Sequence, residues 1–378
     1  MNHFDTIVIG TGPAGANAAH VLAKAGVQTL LIEQHKLPRH KTCGGGVTHK
    51  AAKAFSFDIS PAVERTISTF VLTYKLGRPK IIHSPNPLVY MVRRSQFDHW
   101  LVTQAVNAGA HLCDETKVTC IELEDHQVIV NTSRGTYVAD HLIGADGAMG
   151  VSARAVGLMN DRVLLPAVEH EVEVDSDTTE YWRDKMSLDL GSVRASYGWV
   201  FPKEDHLNVG VGGFGRHSDF SHNLKRYDSN HLNHRVPKQL RVRKSFGYIL
   251  PLRREHSQIQ KRRVLLIGDA AGLVEAFTGE GIYYAARSGQ IAAQSIIDGS
   301  YEQYQARVDN EIMPDLMSAR RYAALYRWSP WMCYLLALYW SPAWFTMREV
   351  LRGEYQFRNV NRRLGLFGMI EKFLPAYA

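Results

Sequence analysis

The sequence predicts an α/β fold: a parallel-sheet nucleotide domain assembled from several separated segments, an antiparallel-sheet domain, and a C-terminal helical region. Three observations carry this. A strand-like run, Thr6-Ile7-Val8-Ile9, leads into the glycine turn Gly10-Thr11-Gly12-Pro13-Ala14-Gly15. Two further strand-like runs, Tyr137–Ile143 and Val264–Ile267, lead into Gly144-Ala145-Asp146-Gly147 and Gly268-Asp269-Ala270-Ala271-Gly272. A small polar turn at the C-terminal end of an apolar strand is where open parallel sheets hold their ligands. The three turns are far apart in the chain. The nucleotide domain is therefore expected from residues 1–55, 90–160 and 251–300, a second domain from 56–89 and 161–250, and the helical region from 301–378.

The elements follow in order. Residues 4–33 read strand, turn, helix, strand, the second strand running from Gln28 to Glu33. Ser95–Ala108 reads as a helix, with Phe97, Leu101, Val102 and Ala105 on one face. Val118–Leu123 and Val128–Thr132 read as strands. Residues 160–250 alternate short apolar runs with charged turns, which predicts an antiparallel sheet. Ser288–Asp298 is a predicted helix, and the pattern stays helical from about 301 onward.

A chain of 378 residues is long for one core, which agrees with two domains. Its apolar fraction of 45% argues against disorder over most of its length. Cys43, Cys113, Cys120 and Cys333 show neither metal-ligand spacing nor a disulfide framework, so a reducing compartment is expected. A strand begins almost at residue 1, where a signal peptide would show a long apolar run. The expected location is cytoplasmic, with peripheral contact to a membrane.

The membrane expectation rests on the tail. Of the formal charge of +7, the segment from Arg320 onward supplies +6, with nine Arg/Lys against three acids. Trp328, Trp331, Trp340 and Trp344 lie there too. Basic residues with interfacial aromatics suit anionic headgroups, so membrane contact through 328–363 is expected. A helical cap with a solvated basic face is the alternative. The apolar run Trp331–Trp340 ends at Ser341-Pro342 after ten residues, and spanning needs ~20. No nucleic-acid partner is expected.

The turns carry the chemistry. Gly10 permits the tight bend, Gly12 and Ala14 lie where a backbone meets a pyrophosphate, and Gly15 permits close helix packing; this is a Rossmann-type turn. Glu33, at the next strand end, suits two ribose hydroxyls and disfavours a 2′-phosphate. Asp269 can hold a ribityl hydroxyl, and the turn Gly279-Glu280-Gly281-Ile282 opens a helix whose amides can face a flavin pyrimidine. Asp146, in its own glycine turn, and Arg94, which can pair with pyrophosphate, join the set, as does Val118. Together these predict FAD, not FMN, because the first turn and Glu33 recognise the AMP half.

These residues resemble the glutathione-reductase-type flavoproteins of the hydroxybenzoate-hydroxylase kind over about residues 4–300. Within that group the sequence most resembles the geranylgeranyl reductase family. Two further stretches carry the match: Pro38-Arg39-His40-Lys41-Thr42-Cys43-Gly44-Gly45-Gly46, and Tyr197-Gly198-Trp199-Val200-Phe201-Pro202-Lys203 leading into Val209-Gly210-Val211-Gly212. The resemblance implies a Rossmann-type FAD-binding domain under an antiparallel-sheet substrate domain. It places Cys43, Gly44 and Gly45 near the flavin ring, and Tyr197, Trp199, Phe201 and Pro202 along the substrate cavity. Read from the residues alone, the glycine run suits a loop close to a flat ring. Cys43 is a candidate catalytic group or a small buried hydrophobe. Tyr197, Trp199 and Phe201 share one strand face and suit either a prenyl chain or an ordinary core. One departure is Glu275-Ala276, where family members carry a proline before the Phe-Thr-Gly-Glu-Gly stretch.

The expected activity is saturation of isolated C=C bonds in an isoprenoid, with hydride from reduced flavin N5. NAD(P)H or a ferredoxin-like protein is the expected electron donor, since no second nucleotide site is read. The proton donor stays open among bound water, Cys43 and Tyr197. The alternative on the same fold is an FAD-dependent aromatic hydroxylase. A halogenase with a Trp-x-Trp motif is disfavoured by Tyr197 at the first tryptophan, and a non-catalytic flavin-binding module is the remaining class.

Overall fold

A computed structural model describes residues 2–214 and 241–364. Part of the predicted antiparallel region, 215–240, and the end of the tail, 365–378, lie outside the described residues.

The glycine turns share one sheet edge. Five strands run parallel in the spatial order His111–Cys113, Thr29–Ile32, Asn2–Ile9, Gly135–Gly144 and Val264–Leu266. Their interiors are mostly apolar where both faces are covered: Ile7, Val8, Leu31, Leu142, Ile143, Leu265 and Leu266 expose no surface, with Thr6 and Thr29 the buried polar residues beside them. This is the sequence habit of parallel strands flanked by helices. Helix α1 (Pro13–Lys24) follows the first turn, α2 is Arg94–Asn107, and α3 is Ile282–Ile297. Gly15 is what lets α1 sit so close. A Cβ there would lie 2.0 Å from the Gly10 carbonyl oxygen. An antiparallel flap, Val118–Leu123 with Val128–Thr132, hangs from the long strand Gly135–Gly144. Helix α3 begins at Ile282, at the turn expected to open it, and runs through the stretch from Ser288 read as helical.

The second sheet has seven strands in the order 241–252, 163–173, 206–213, 196–202, 185–190, 69–74 and 80–83. It is not wholly antiparallel as expected: Lys185–Leu190 and Thr69–Tyr74 run parallel. The reason is connectivity, since Thr69–Tyr74 arrives from a distant segment rather than through a hairpin. A third sheet of three short strands, Gly46–Thr48, Val89–Val92 and Val63–Ile67, was not read from sequence. It bridges the glycine loop to the second sheet.

Among the described residues, five α-helices follow residue 301, as expected. Three of them matter here: α5 (Met313–Trp328), α6 (Pro330–Tyr339) and α7 (Ser341–Arg352), after the short α4 (Tyr304–Glu311). Prolines at the starts of α5, α6 and α7 stand where a helix needs no N–H donor, so each turn begins a new helix. No described helix is long and apolar enough to cross a membrane.

Candidate functional site

A cavity of about 860 Å³ runs from the C-terminal ends of the parallel strands, past the glycine loop, to the underside of α6 and α7. Its first stretch is built from the predicted turns. Gly10, Gly12, Ala14 and Glu33 line it, with Val118 beside Glu33's strand end and Asp146 and Asp269 further along. Gly12 is open, since a Cβ there would meet nothing within 4 Å. The turn thus presents bare backbone to the cavity at the start of α1, which is room a pyrophosphate fits. Gly15 does not line the cavity; it acts through the packing of α1 described above.

Glu33 is 5% exposed and heavily engaged. It accepts hydrogen bonds from Thr11 Oγ1, from Arg39 Nε at 2.8 Å and from the His35 amide at 3.1 Å. Burial raises its pKa, yet the Arg39 charge and these bonds outweigh burial and hold the carboxyl below its usual range. Arg39 also reaches Asp98 at 3.1 Å. Arg94 lines the cavity, but two of its donors go to Asp98 as an i,i+4 pair, at 2.8 and 2.9 Å. A phosphate would therefore meet only the remaining edge of this guanidinium, which also touches the Cys43 thiol.

Asp146 accepts from both the amide and the hydroxyl of Ser152, and its Oδ1 is buried without a partner among the described residues. Burial pushes its pKa up. Such an atom suits a ligand hydroxyl or an ordered water. Asp269 Oδ2 accepts from Tyr248 Oη at 2.9 Å. The turn Gly279–Ile282 closes this end, with all four residues lining the cavity. Glu275, of the Glu275-Ala276 pair that departs from the family resemblance, is fully buried, and its carboxylate accepts from the amides of Phe277 and Thr278 and from the Thr278 hydroxyl. Glu280 is bound by Thr48 Oγ1 and, at 2.6 Å, by buried Lys50.

The glycine loop lies at the centre. Cys43, Gly44, Gly45 and Gly46 line the cavity. A Cβ at Gly44 would sit 2.9 Å from the Phe201 ring and 3.2 Å from Trp199 Nε1. The loop and the aromatic strand therefore touch, and the two stretches that carry the family resemblance form one wall. Tyr197, Trp199 and Phe201 line the cavity from one strand face. Pro202 does not. It is one residue out of phase, on the opposite face with Val200, so its assignment to the cavity is corrected. Tyr197 Oη donates to the Thr278 carbonyl, and burial pushes its pKa well above the usual tyrosine range.

Several residues here were not read from sequence. Trp199 Nε1 donates to Asn208 Oδ1 at 2.8 Å, Asn208 bonds Glu169, and Glu169 Oε1 accepts the Cys43 amide at 2.9 Å. Burial raises the Glu169 pKa. Lys203, 4% exposed, donates to the carbonyls of Gly44 (2.7 Å) and Val92 (2.9 Å), and burial lowers its pKa to about 8. Lys41 stands 3.2 Å over the Tyr248 ring; burial, with Arg94 nearby, lowers its pKa to about 8. The period-two alternation of Tyr197, Trp199 and Phe201 continues to Lys203, and that was the available signal.

Beyond the loop the cavity is apolar. Phe70, Leu72, Met186 and Leu188 from the second sheet face Leu336, Trp340, Trp344 and Met347 from α6 and α7. A polar, glycine-rich end and an apolar end share one volume. The first suits a flavin dinucleotide, and the second an apolar chain.

Residues 3–297 match the FAD binding domain family. The chain is 34% identical to an uncharacterized protein of Methanosarcina barkeri, over 84% of this chain and 82% of that one. It is 31% identical to the chloroplastic geranylgeranyl diphosphate reductase of Oryza sativa, over 78% of this chain; it spans 66% of that protein's length. It is 30% identical to a digeranylgeranylglycerophospholipid reductase of Methanoculleus marisnigri, over 78% and 76%. Among solved structures, a geranylgeranyl bacteriochlorophyll reductase-like protein of Thermoplasma acidophilum superposes with a TM-score of 0.74 at 23% identity, covering 100% of this chain and 97% of that one. The flavin-dependent brominase Bmp2 superposes at 0.75 with 18% identity, covering 98% and 99%. At such identities these two structures show the shared fold alone.

Proposed function

The chain belongs to the geranylgeranyl reductase family of FAD-dependent oxidoreductases, and from that premise we propose that it saturates isolated C=C bonds of a geranylgeranyl-type isoprenoid chain. One observation carries the reading: a single cavity joins the glycine-lined strand ends to an apolar chamber, with the Cys43–Gly46 loop and Trp199 at the junction.

Reduced FAD, when bound, supplies hydride to one alkene carbon. The chain's own groups do the rest. Gly10, Gly12, Ala14 and Glu33 hold the AMP half, with Val118 beside it. Asp146, Asp269 and the Gly279–Ile282 turn hold the flavin half. Gly44 and Gly45 leave room for a flat ring, and Lys203 fixes their carbonyls. Trp199, Phe201 and Tyr197 press the chain toward that loop. The apolar walls beyond exclude water from the reacting bond. A proton must reach the second alkene carbon. Cys43 and Tyr197 are the protein groups at the junction, with bound water as the third source. The electron donor in this reading is NAD(P)H or a ferredoxin-like protein, and the basic, tryptophan-bearing segment 328–363 meets the membrane in which such a substrate resides.

The test is mass spectrometry of geranylgeranyl lipids after anaerobic incubation with the enzyme and a chemical reductant. A gain of two hydrogens per reduced bond is expected. Unchanged lipid, together with phenol-dependent oxygen consumption, would assign the protein to the aromatic hydroxylases instead.

A further inference from the structure

Helix α6 has two faces with different neighbours. Cys333, Leu336, Ala337 and Trp340, at helical spacing, line the cavity. On the other side Trp331, Leu335 and Tyr339, also at helical spacing, are 53%, 39% and 81% exposed, and Trp328 just before them is 77% exposed. The helix has ten residues and no charge, and none of its residues is buried. One helix thickness therefore separates the apolar chamber from the outside. Pro330 and Pro342 stand at the first turns of α6 and α7, so α6 is a short plate with a break at each end.

The surroundings of the outer face say what covers it. From Arg327 to Arg348 there is no acidic residue. Beside α6 lies the hairpin tip that joins Thr69–Tyr74 to Lys80–His83. Tyr334 Oη donates to the Arg78 carbonyl, and the Tyr74 and Tyr334 rings meet at 5.7 Å. This tip carries exposed Lys75, Arg78 and Lys80, again without an acid. Next to them Ile81 is 44% exposed. An apolar aromatic stripe rimmed by cations is complementary to one surface: an apolar layer with anionic headgroups at its edge. A protein partner of matching chemistry would need an apolar groove rimmed by acids.

We infer that the outer face of α6, together with the Lys75–Ile81 hairpin tip, seats on an anionic bilayer, and that the isoprenoid chain passes from the bilayer into the cavity at α6. The inference rests on the isoprenoid-reductase reading for its substrate and on the surface alone for its docking. It goes beyond the expected tail contact in two respects. It adds a hairpin from a distant part of the chain, and it makes the docking face the back of the substrate chamber.

The experiment uses the full-length, FAD-loaded enzyme. It is centrifuged with vesicles of phosphatidylcholine alone or mixed with phosphatidylglycerol. Pelleting with the mixed vesicles at low salt, and release at high salt, are expected. Two variants are compared with it: Trp331→Glu/Leu335→Glu/Tyr339→Glu on the helix, and Lys75→Glu/Arg78→Glu/Lys80→Glu on the hairpin. Each basic residue is worth about fivefold in partitioning, so the hairpin variant should lose vesicle binding by on the order of a hundredfold. Both variants should reduce a geranylgeranyl lipid dispersed in detergent about as the wild type does, and the same lipid embedded in vesicles on the order of tenfold more slowly. The hairpin variant changes only exposed side chains, so it keeps the test decisive if the helix variant misfolds.

Wild-type protein that ignores both vesicles would overturn the inference, as would variants that pellet like the wild type. A concentration-dependent dimer that the helix variant abolishes, without vesicle binding, would give the face to a second copy of the chain. If the wild type reduces the lipid in neither form while still pelleting, the reductase reading fails and the docking surface stands.

Discussion

Lys203 Nζ donates to the Gly44 carbonyl at 2.7 Å, so a buried ammonium at the end of the aromatic strand holds the loop that the family resemblance places near the flavin ring. A second bond, to the Val92 carbonyl at 2.9 Å, ties that loop to a neighbouring strand. Among the described residues its ammonium hydrogen-bonds backbone carbonyls, which makes it a positioning residue. Lys203→Met should lower the rate of alkene reduction by about tenfold or more, because charge-assisted bonds of ~1.5–3 kcal/mol each no longer fix the loop. Flavin content should stay near normal. Parallel loss of flavin and rate would show that the lysine serves the fold instead.

The same lysine gives a pH dependence with a definite sign. Burial lowers Lys203 to about 8, and burial with Arg94 lowers Lys41 to about 8. An unfolded lysine titrates near ~10.4. Between those values the unfolded chain binds more protons, so stability should rise with pH across that window. The lysine contribution is least favourable below about pH 8 and recovered by about pH 10. Urea midpoints at the two ends should show the rise, and Lys203→Met should remove about half of it. A midpoint difference unchanged by the substitution would mean that Lys203 titrates normally.

Glu33 separates two roles, ribose recognition and the pairing with Arg39. Glu33→Gln keeps the size and loses the charge. It should weaken FAD binding by about tenfold to a hundredfold, from one charge-assisted bond lost. It should also destabilise at neutral pH, since its pairing with Arg39 and Thr11 contributes above the unfolded carboxyl pKa and is lost as pH falls through the lower folded value. Fluorescence titration with FAD reads the first effect, and acid unfolding the second. Wild-type flavin affinity in this variant would remove Glu33 from the cofactor site.

How much of this was legible is set by the range of the interactions. Gly10, Glu33, Asp146 and Asp269, which line the cavity, were legible as candidates because each sits at the end of an apolar strand, a local pattern. Cys43 and Trp199 came from resemblance and from alternation along one strand. Glu169 was invisible: its partner Cys43 lies 126 positions away, and nothing around Glu169 marks it as buried. Arg39 and Lys41 stood inside the Pro38–Gly46 stretch but gave no sign of their partners, which come from elsewhere: Glu33, Thr11 and Asp98 of α2 for Arg39, and Tyr248 for Lys41. Pro202 was carried in by the motif although its position in the alternation points it away. The parallel pairing of Thr69–Tyr74 with Lys185–Leu190 joins segments that share no local signal.

Trp199 tests the cavity wall. Trp199→Ala should impair alkene reduction, or change how many bonds are reduced, while leaving flavin content near normal. Trp199→Phe keeps most of the ring and loses the bond to Asn208, so it should fall between the two. The product distribution by mass spectrometry is the readout. Loss of folding and flavin in both variants would make Trp199 an ordinary core residue, in line with its low exposure of 7%.

Glu275 gives the most discriminating prediction. In the family pattern a proline stiffens the approach to the Phe-Thr-Gly-Glu-Gly stretch; here Glu275-Ala276 stands there. The structure supplies a different device. The Glu275 carboxylate accepts two consecutive amides and a hydroxyl, from Phe277 and Thr278, while its own amide bonds the Glu280 carbonyl at 2.9 Å. A turn that the sequence leaves free is thus closed by hydrogen bonds to one buried carboxylate. Burial raises its pKa, and the three donors and Lys50 oppose that without cancelling it. Glu275→Ala removes every side-chain acceptor and leaves the half-buried donors of Phe277 and Thr278 without it, at up to ~1–3 kcal/mol each. The Gly279–Ile282 turn, which lines the flavin end of the cavity, should loosen, and FAD should dissociate more readily. Glu275→Gln retains an acceptor oxygen and should lose about half as much. Flavin release followed by fluorescence, beside thermal unfolding of the same samples, measures both. If Glu275→Ala unfolds no earlier and holds FAD as tightly as the wild type, the carboxylate does not set the turn.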